Sequence, residues 1–117
     1  MSEFMLLFRR DIHAKDPSPE QMQELGNKWW QWTSNLESQN KVARSSNRLS
    51  KAGRVVKADN VITDGPYAEI KEILAGYLVV KADSFDEAIA IAKECPILLS
   101  QGNVEIRRFI APDDNES

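Results

Sequence analysis

The sequence predicts an α+β fold, a ferredoxin-like antiparallel sheet with two helices on one face. Three observations predict it. Along the 117 residues the segments run strand, helix, strand pair, strong strand, helix, strand. Two segments open on helix-start signals and continue with apolar residues at helical spacing. A third, Ile73 to Ala82, is apolar on both alternating faces, which requires cover on both sides.

Phe4-Met5-Leu6-Leu7-Phe8 is a short apolar run stopped by Arg9-Arg10-Asp11, and it reads as a central strand. Asp11 to Pro17 is polar, ends in the turn former Asp16-Pro17 and reads as a loop. Ser18 is then an N-cap, Pro19 suits the first helical position and Gln21 completes a capping box. Met22, Leu25, Trp29, Trp32 and Leu36 follow as one helical stripe, with Trp30 beside it. Trp29 and Trp32 are expected in the core rather than against a ligand. Gly26 costs this helix ~1 kcal/mol relative to Ala, and marks a place where another backbone can come close. The helix is expected to end near Gln39-Asn40.

From Lys41 to Thr63 the apolar residues are scattered among Ser, Asn, Arg and Lys. The reading is two or three short polar strands, with Ala52-Gly53 as a turn and Asp59-Asn60 as a further break. The basic residues Lys41, Arg44, Arg48, Lys51, Arg54 and Lys57 read as a solvated hairpin surface, with an anion pocket as the alternative. In the strong strand, Ile73, Ala75, Tyr77 and Val79 fall on one face and Leu74, Gly76, Leu78 and Val80 on the other. Ser84-Phe85-Asp86-Glu87 is a second capping box, and Phe85, Ala88, Ile89 and Ala92 give that helix its buried face. Cys95-Pro96 ends it. A turn at Gly102-Asn103 leads to a last strand, Val104 to Ile110. A single domain over residues 1–111 is expected, with an acidic tail, Pro112 to Ser117, that frays.

Composition narrows the function classes. A net charge of −3 gives no general reason to bind nucleic acid. Phe4 to Phe8 is too short for a signal segment or a membrane span. One cysteine, Cys95, allows no internal disulfide, and with no secretory signal a reducing cytoplasm is the expected setting. One histidine, His13, placed in a loop, and no cysteine cluster give no metal signature. No phosphate-binding loop is present, and no cofactor is expected.

Two helices cover only one face of a sheet, so the other face of Ile73–Ala82 and part of Phe4–Phe8 would lie open. Each large aliphatic side chain left in water forgoes roughly 1.5–3 kcal/mol, and a contiguous patch exceeds what soluble monomers usually expose. Packing the open faces across a two-fold axis solves this, so a homodimer is expected.

The stretch Thr63-Asp64-Gly65-Pro66-Tyr67-Ala68-Glu69-Ile70-Lys71-Glu72 resembles the Asp-Gly-Pro-Phe signature, continued as Glu-x-Lys-Glu, of the YCII-related family called DGPF. Ala75-Gly76-Tyr77 resembles that family's Gly-Gly-Tyr, and Asp83-Ser84-Phe85-Asp86-Glu87-Ala88 its second-helix entry. Cys95-Pro96 and Val104-Glu105-Ile106-Arg107 resemble its ending. The likeness runs from about Phe4 to Ile110. Tyr67 stands where Phe is usual, Ala75 where the first Gly of the pair stands, and Arg108 where a proline is common. The resemblance implies a dimeric α+β barrel, and for some members an association with extracytoplasmic-function sigma factors. Some members of the wider superfamily carry a His–Asp pair with the histidine on the first helix. Here that helix has no histidine, and the pair is not carried over.

Asp64-Gly65-Pro66 reads first as a turn that launches the strong strand. The alternative is a desolvated Asp64 acting as a general base. Glu69 and Lys71 share one face of an extended chain and suit cross-strand or intersubunit pairing. Tyr67 suits the subunit contact or a ligand. The leading expectation is a dimer that binds a small molecule in a pocket near the Asp64 turn, with Arg9, Arg48, Tyr67, Glu69 and Lys71 as candidate contacts. The alternatives are a cofactor-independent isomerase- or oxygenase-like enzyme using Asp64, and a sigma-factor-associated interaction module.

Overall fold

The chain builds β1 (Ser2–Asp11), α1 (Pro19–Ser38), β2 (Val42–Arg48), β3 (Gly53–Lys57), β4 (Val61–Gly65), β5 (Glu72–Ala82), α2 (Phe85–Lys93), a 3-10 turn (Pro96–Leu99) and β6 (Gly102–Arg108). The computed structural model describes residues 2–11, 15–49, 52–58, 61–65 and 72–110, with the backbone alone at 44–48, 64, 65 and 72. Four strands form one sheet in the order β2-β5-β1-β6, while β3 and β4 pair as a separate hairpin. Every neighbouring pair in the large sheet is antiparallel. Counting only those four strands, this is the ferredoxin-like order, with the hairpin inserted between the second and third.

The two helices start where the capping residues place them. Ser18 Oγ accepts from the Gln21 N–H at 3.2 Å and Gln21 Oε1 accepts from the Ser18 N–H at 2.9 Å. Ser84 Oγ likewise accepts from the Glu87 N–H. Its reciprocal bond is displaced by one residue, because the Glu87 carboxylate takes the Asp83 N–H instead. Helix α1 ends on Asn40 in the left-handed region, φ 55°. The Lys41 N–H reaches back to the Leu36 carbonyl and the Asn40 N–H to that of Glu37, the Schellman closure. Helix α2 stops ahead of Cys95-Pro96 as expected.

Both helices lie on the face of the sheet that presents Phe4, Leu6, Phe8, Leu78, Val80 and Ala82. Against it pack Trp32 and Leu36 of α1 and Ala88, Ile91 and Ala92 of α2. The Trp32 Nε1 donates to the Ile91 carbonyl at 3.2 Å, which satisfies the indole inside the core and ties the helices together. On the opposite face Met5, Leu7 and Tyr77 are half-buried, and among them Val79 is only 1% exposed.

Three local expectations are corrected. A bulge on β5 sets Phe8 opposite Gly76 but Arg9 opposite Leu74, so Ala75 is the extra residue. Strict alternation breaks there, and Ile73, opposite Arg10, moves to the helix-covered side and is buried. The turn before β6 lies one residue earlier than Gly102-Asn103. Gln101 takes the left-handed conformation, φ 61°, and Gly102 opens the strand. A Cβ on Gly102 would sit 2.6 Å from the Arg9 carbonyl oxygen and 2.5 Å from Ile97 Cγ1, so glycine is needed for close approach. Finally, β4 runs two residues beyond Thr63 and ends on Asp64 and Gly65, opposite Arg54 and Gly53; the rest of the expected turn lies outside the described residues.

Candidate functional site

The stripe Met22–Leu25–Trp29–Trp32–Leu36 lies on one side of α1 as its spacing demands, but only its C-terminal half reaches the core. Trp32 and Leu36 are buried, Leu25 and Trp29 are half-buried, and Met22 is exposed. Under the N-terminal half of the helix a cleft of about 710 Å³ opens against the ends of β1 and β5. That volume suits a small molecule.

Phe8, Trp29 and Ile73 line the cleft, and Met22, Trp30 and Leu49 line it with exposed side chains. Three rings hold one another edge to face: Phe8–Trp29 at 5.1 Å, Trp29–Trp32 at 5.6 Å and Phe8–Trp32 at 6.0 Å between centroids. Trp32 thus belongs to the core and anchors Trp29, which belongs to the cleft. Gly26 also lines it. A Cβ built there meets nothing within 4 Å among the described residues, so the glycine leaves open space.

The polar chemistry comes from the end of β1 and the loop behind it. Arg10, Asp11 and Asp16 line the cleft. Strand alternation puts Arg10 on the side of Phe8 and Leu6. Its Nη2 donates to the Lys15 carbonyl at 3.4 Å, a long bond, and its Nε is buried with no partner among the described residues. Asp11 and Asp16 are exposed, and each is engaged in an interaction of its own.

The candidates taken from the sequence are dispersed. Arg9 lies on the other face, where its Nε and Nη2 both donate to Glu105 Oε1, at 3.2 and 3.1 Å. Glu105 in turn accepts from Arg107 at 3.5 Å. Both Arg9 and Glu105 are about a third exposed, and such a pair contributes roughly 0.2–1 kcal/mol. Arg48 ends β2 and Asp64 sits on β4, but neither side chain is among those described. Tyr67, Glu69, Lys71 and His13 lie outside the described residues. The cleft opens beside the root of the hairpin, between Leu49 and Ile73. Arg10 is the residue that sequence reasoning passed over. Its signal was parity with Phe4, Leu6 and Phe8, hidden because Met5 and Leu7 are apolar too.

Among the described residues no cluster of His, Cys, Asp and Glu could hold a metal ion, and no helix is long and apolar enough to cross a membrane. Cys95 is buried under the second helix, and burial pushes its thiol up to about 12, so it is no nucleophile near neutrality.

Comparison with known proteins agrees with this architecture. A solved structure of 5-chloro-2-hydroxyhydroquinone dehydrochlorinase (TftG) from Burkholderia phenoliruptrix AC1100, in complex with 2,5-dihydroxybenzoquinone, shares the fold. It aligns at a TM-score of 0.53 and 15% identity over 97% of this chain and 99% of that one. No curated protein matches the chain. The family model of the YCII-related domain matches residues 4–111, nearly all of the strands, helices and cleft described above, and the chain belongs to that family.

Proposed function

We propose that the protein binds a small molecule in the cleft between α1 and the ends of β1 and β5. One observation carries this reading: an opening of about 710 Å³ framed by Phe8, Trp29 and Ile73, with Arg10 in its lining. A helix whose purpose was core packing alone would bring Met22 and Leu25 onto the sheet. This one leaves Met22 exposed and Leu25 half-buried, with open space at Gly26 of the same helix. A protein of the same fold has been solved with a small ring compound bound, in keeping with the proposal. The reading favours a binding protein over an interaction module with a closed interior.

The same proposal includes a homodimer of the α+β-barrel kind, with the helix-free sheet faces packed together. Its support is the apolar face of Met5, Leu7 and Tyr77, which are only half-buried and lie opposite the helices.

A thermal-shift screen against a metabolite library tests the cleft. A true ligand raises stability by about 2.7 kcal/mol at a hundredfold excess over Kd. Gly26→Leu places a side chain in the open space, so it is expected to fold and to abolish the shift. A ligand that stabilises Gly26→Leu as well as the native chain binds elsewhere, and the cleft is then not the site.

A further inference from the structure

We infer that the ligand of the cleft is a flat, uncharged ring compound, held by apolar and aromatic contact rather than by an ion pair. This rests on the cleft being the binding site and names the class of compound it takes.

The polar side chains of the described lining are already occupied. Thr33 Oγ1 donates to the Trp29 carbonyl at 2.9 Å and Ser100 Oγ to the Ile97 carbonyl at 3.2 Å, so both hydroxyl protons are spent on the backbone. Arg10 Nη2 donates to the Lys15 carbonyl, and its Nε is buried, away from the open cleft. Asp11, Asp16 and Tyr77 each take part in an interaction of their own. The charged side chains in the described lining, one guanidinium and two carboxylates, all come from the end of β1 and the loop after it. An ion entering the rest of the cleft would give up its hydration with no opposite charge to meet it, which is strongly unfavourable.

The apolar side is suited to a ring. Met22, Leu25, Gly26, Trp29 and Trp30 all line the opening, and their spacing puts them on one continuous face of α1. At Gly26 the space beside the indoles is open. Trp29 is fixed by edge-to-face contacts with Phe8 and Trp32, which preorganises it. Trp30 is 70% exposed and Met22 52%, so a concave wall of large apolar groups stands in water until an apolar molecule covers it. Ring-on-ring packing adds an advantage beyond the area buried, which favours a planar aromatic body over a puckered one of the same size.

The test is calorimetric titration of the full chain at neutral pH with compounds of similar size. They are 2-naphthol, uncharged and flat; 2-naphthoate, an anion; 2-naphthylmethylammonium, a cation; and decahydro-2-naphthol, uncharged but puckered. The first is expected to bind at least about tenfold tighter than any of the others, and to lose its binding in Gly26→Leu. Trp30→Ala removes an exposed ring and leaves the core intact, so it is expected to fold and to weaken 2-naphthol about fivefold. Equal or tighter binding of either ion, abolished by Gly26→Leu, overturns the uncharged assignment and leaves the cleft as a binding site. Equal binding of decahydro-2-naphthol, or an affinity for 2-naphthol indifferent to Trp30→Ala, overturns the aromatic contact. If 2-naphthol does not bind, or binds Gly26→Leu as well as the native chain, the flat-ring inference fails; if the library screen also finds no ligand blocked by Gly26→Leu, the cleft reading fails with it.

Discussion

Cys95 shows how one buried group ties stability to pH. It is 2% exposed, and burial lifts its thiol from 9.0 to about 12, against a smaller lowering by a hydrogen bond with the Ile97 backbone. The folded state therefore prefers the neutral thiol. The stability this confers is fully present below pH 9 and is lost as the pH rises from there towards 12, because the unfolded chain ionises first. The clean measurement is the difference in denaturation free energy between the native chain and Cys95→Ala, which cancels every other group. That difference is expected to hold constant up to about pH 8 and to narrow at higher pH; a constant difference across the range would contradict the burial argument. The same scale explains why Arg9 drew attention in the sequence and Arg10 did not. Both end the same apolar run, and in Phe4-Met5-Leu6-Leu7-Phe8 both parities are apolar, so neither residue could be assigned a face. Only the register with β5 and β6 decides it, sending Arg9 to Glu105 and Arg10 into the cleft.

Among the elements, α1 was the most legible and the most instructive. Ser18, Pro19 and Gln21 fixed its start and Asn40 its end, because caps are local chemistry. The spacing gave its apolar stripe correctly but could not say that the stripe divides, with Trp32 and Leu36 in the core and Met22 to Trp29 along a cleft. That division depends on how far the helix stands from the sheet, which is set by β1 and β5. The bulge at Ala75 was illegible for the same reason, since a strand apolar on both faces carries no parity to break. Gly26 turns this into a measurement. Its Cβ position is open, so Gly26→Ala is expected to stabilise the protein by about 0.5–1 kcal/mol through helix propensity alone. Chemical denaturation would read that gain as a higher midpoint at unchanged slope. A loss of stability would mean that the cleft closes on the glycine in solution.

At the scale of the molecule, the chain is more extended than its length requires. Its radius of gyration is 16.0 Å, with extents of 46 × 41 × 20 Å, where a single compact domain of this length would have about 13 Å. Among the described residues the hairpin of β3 and β4 joins no other strand. Across it Val56 stands opposite Ile62, 69% and 64% exposed, with Val61 49% exposed beside them. Three large aliphatic side chains in water on a two-stranded ribbon are poorly placed in a monomer, since such hairpins are marginal without packing. Composition hid this, because the polar, Ser- and Arg-rich strands read as a solvated surface. A second copy supplies the missing contacts if the hairpin reaches across while the Met5, Leu7, Tyr77 and Val79 faces meet. Sedimentation at micromolar concentration is accordingly expected to show a dimer. The double substitution Val56→Glu with Ile62→Glu places like charges opposite each other on the ribbon and is expected to weaken association by at least about tenfold. Helical content would stay unchanged, because neither residue touches the core formed by α1, α2 and the four-stranded sheet. A native chain that sediments as a monomer would remove the dimer, and a dimer indifferent to the double substitution would keep the sheet-face contact and remove the hairpin from it.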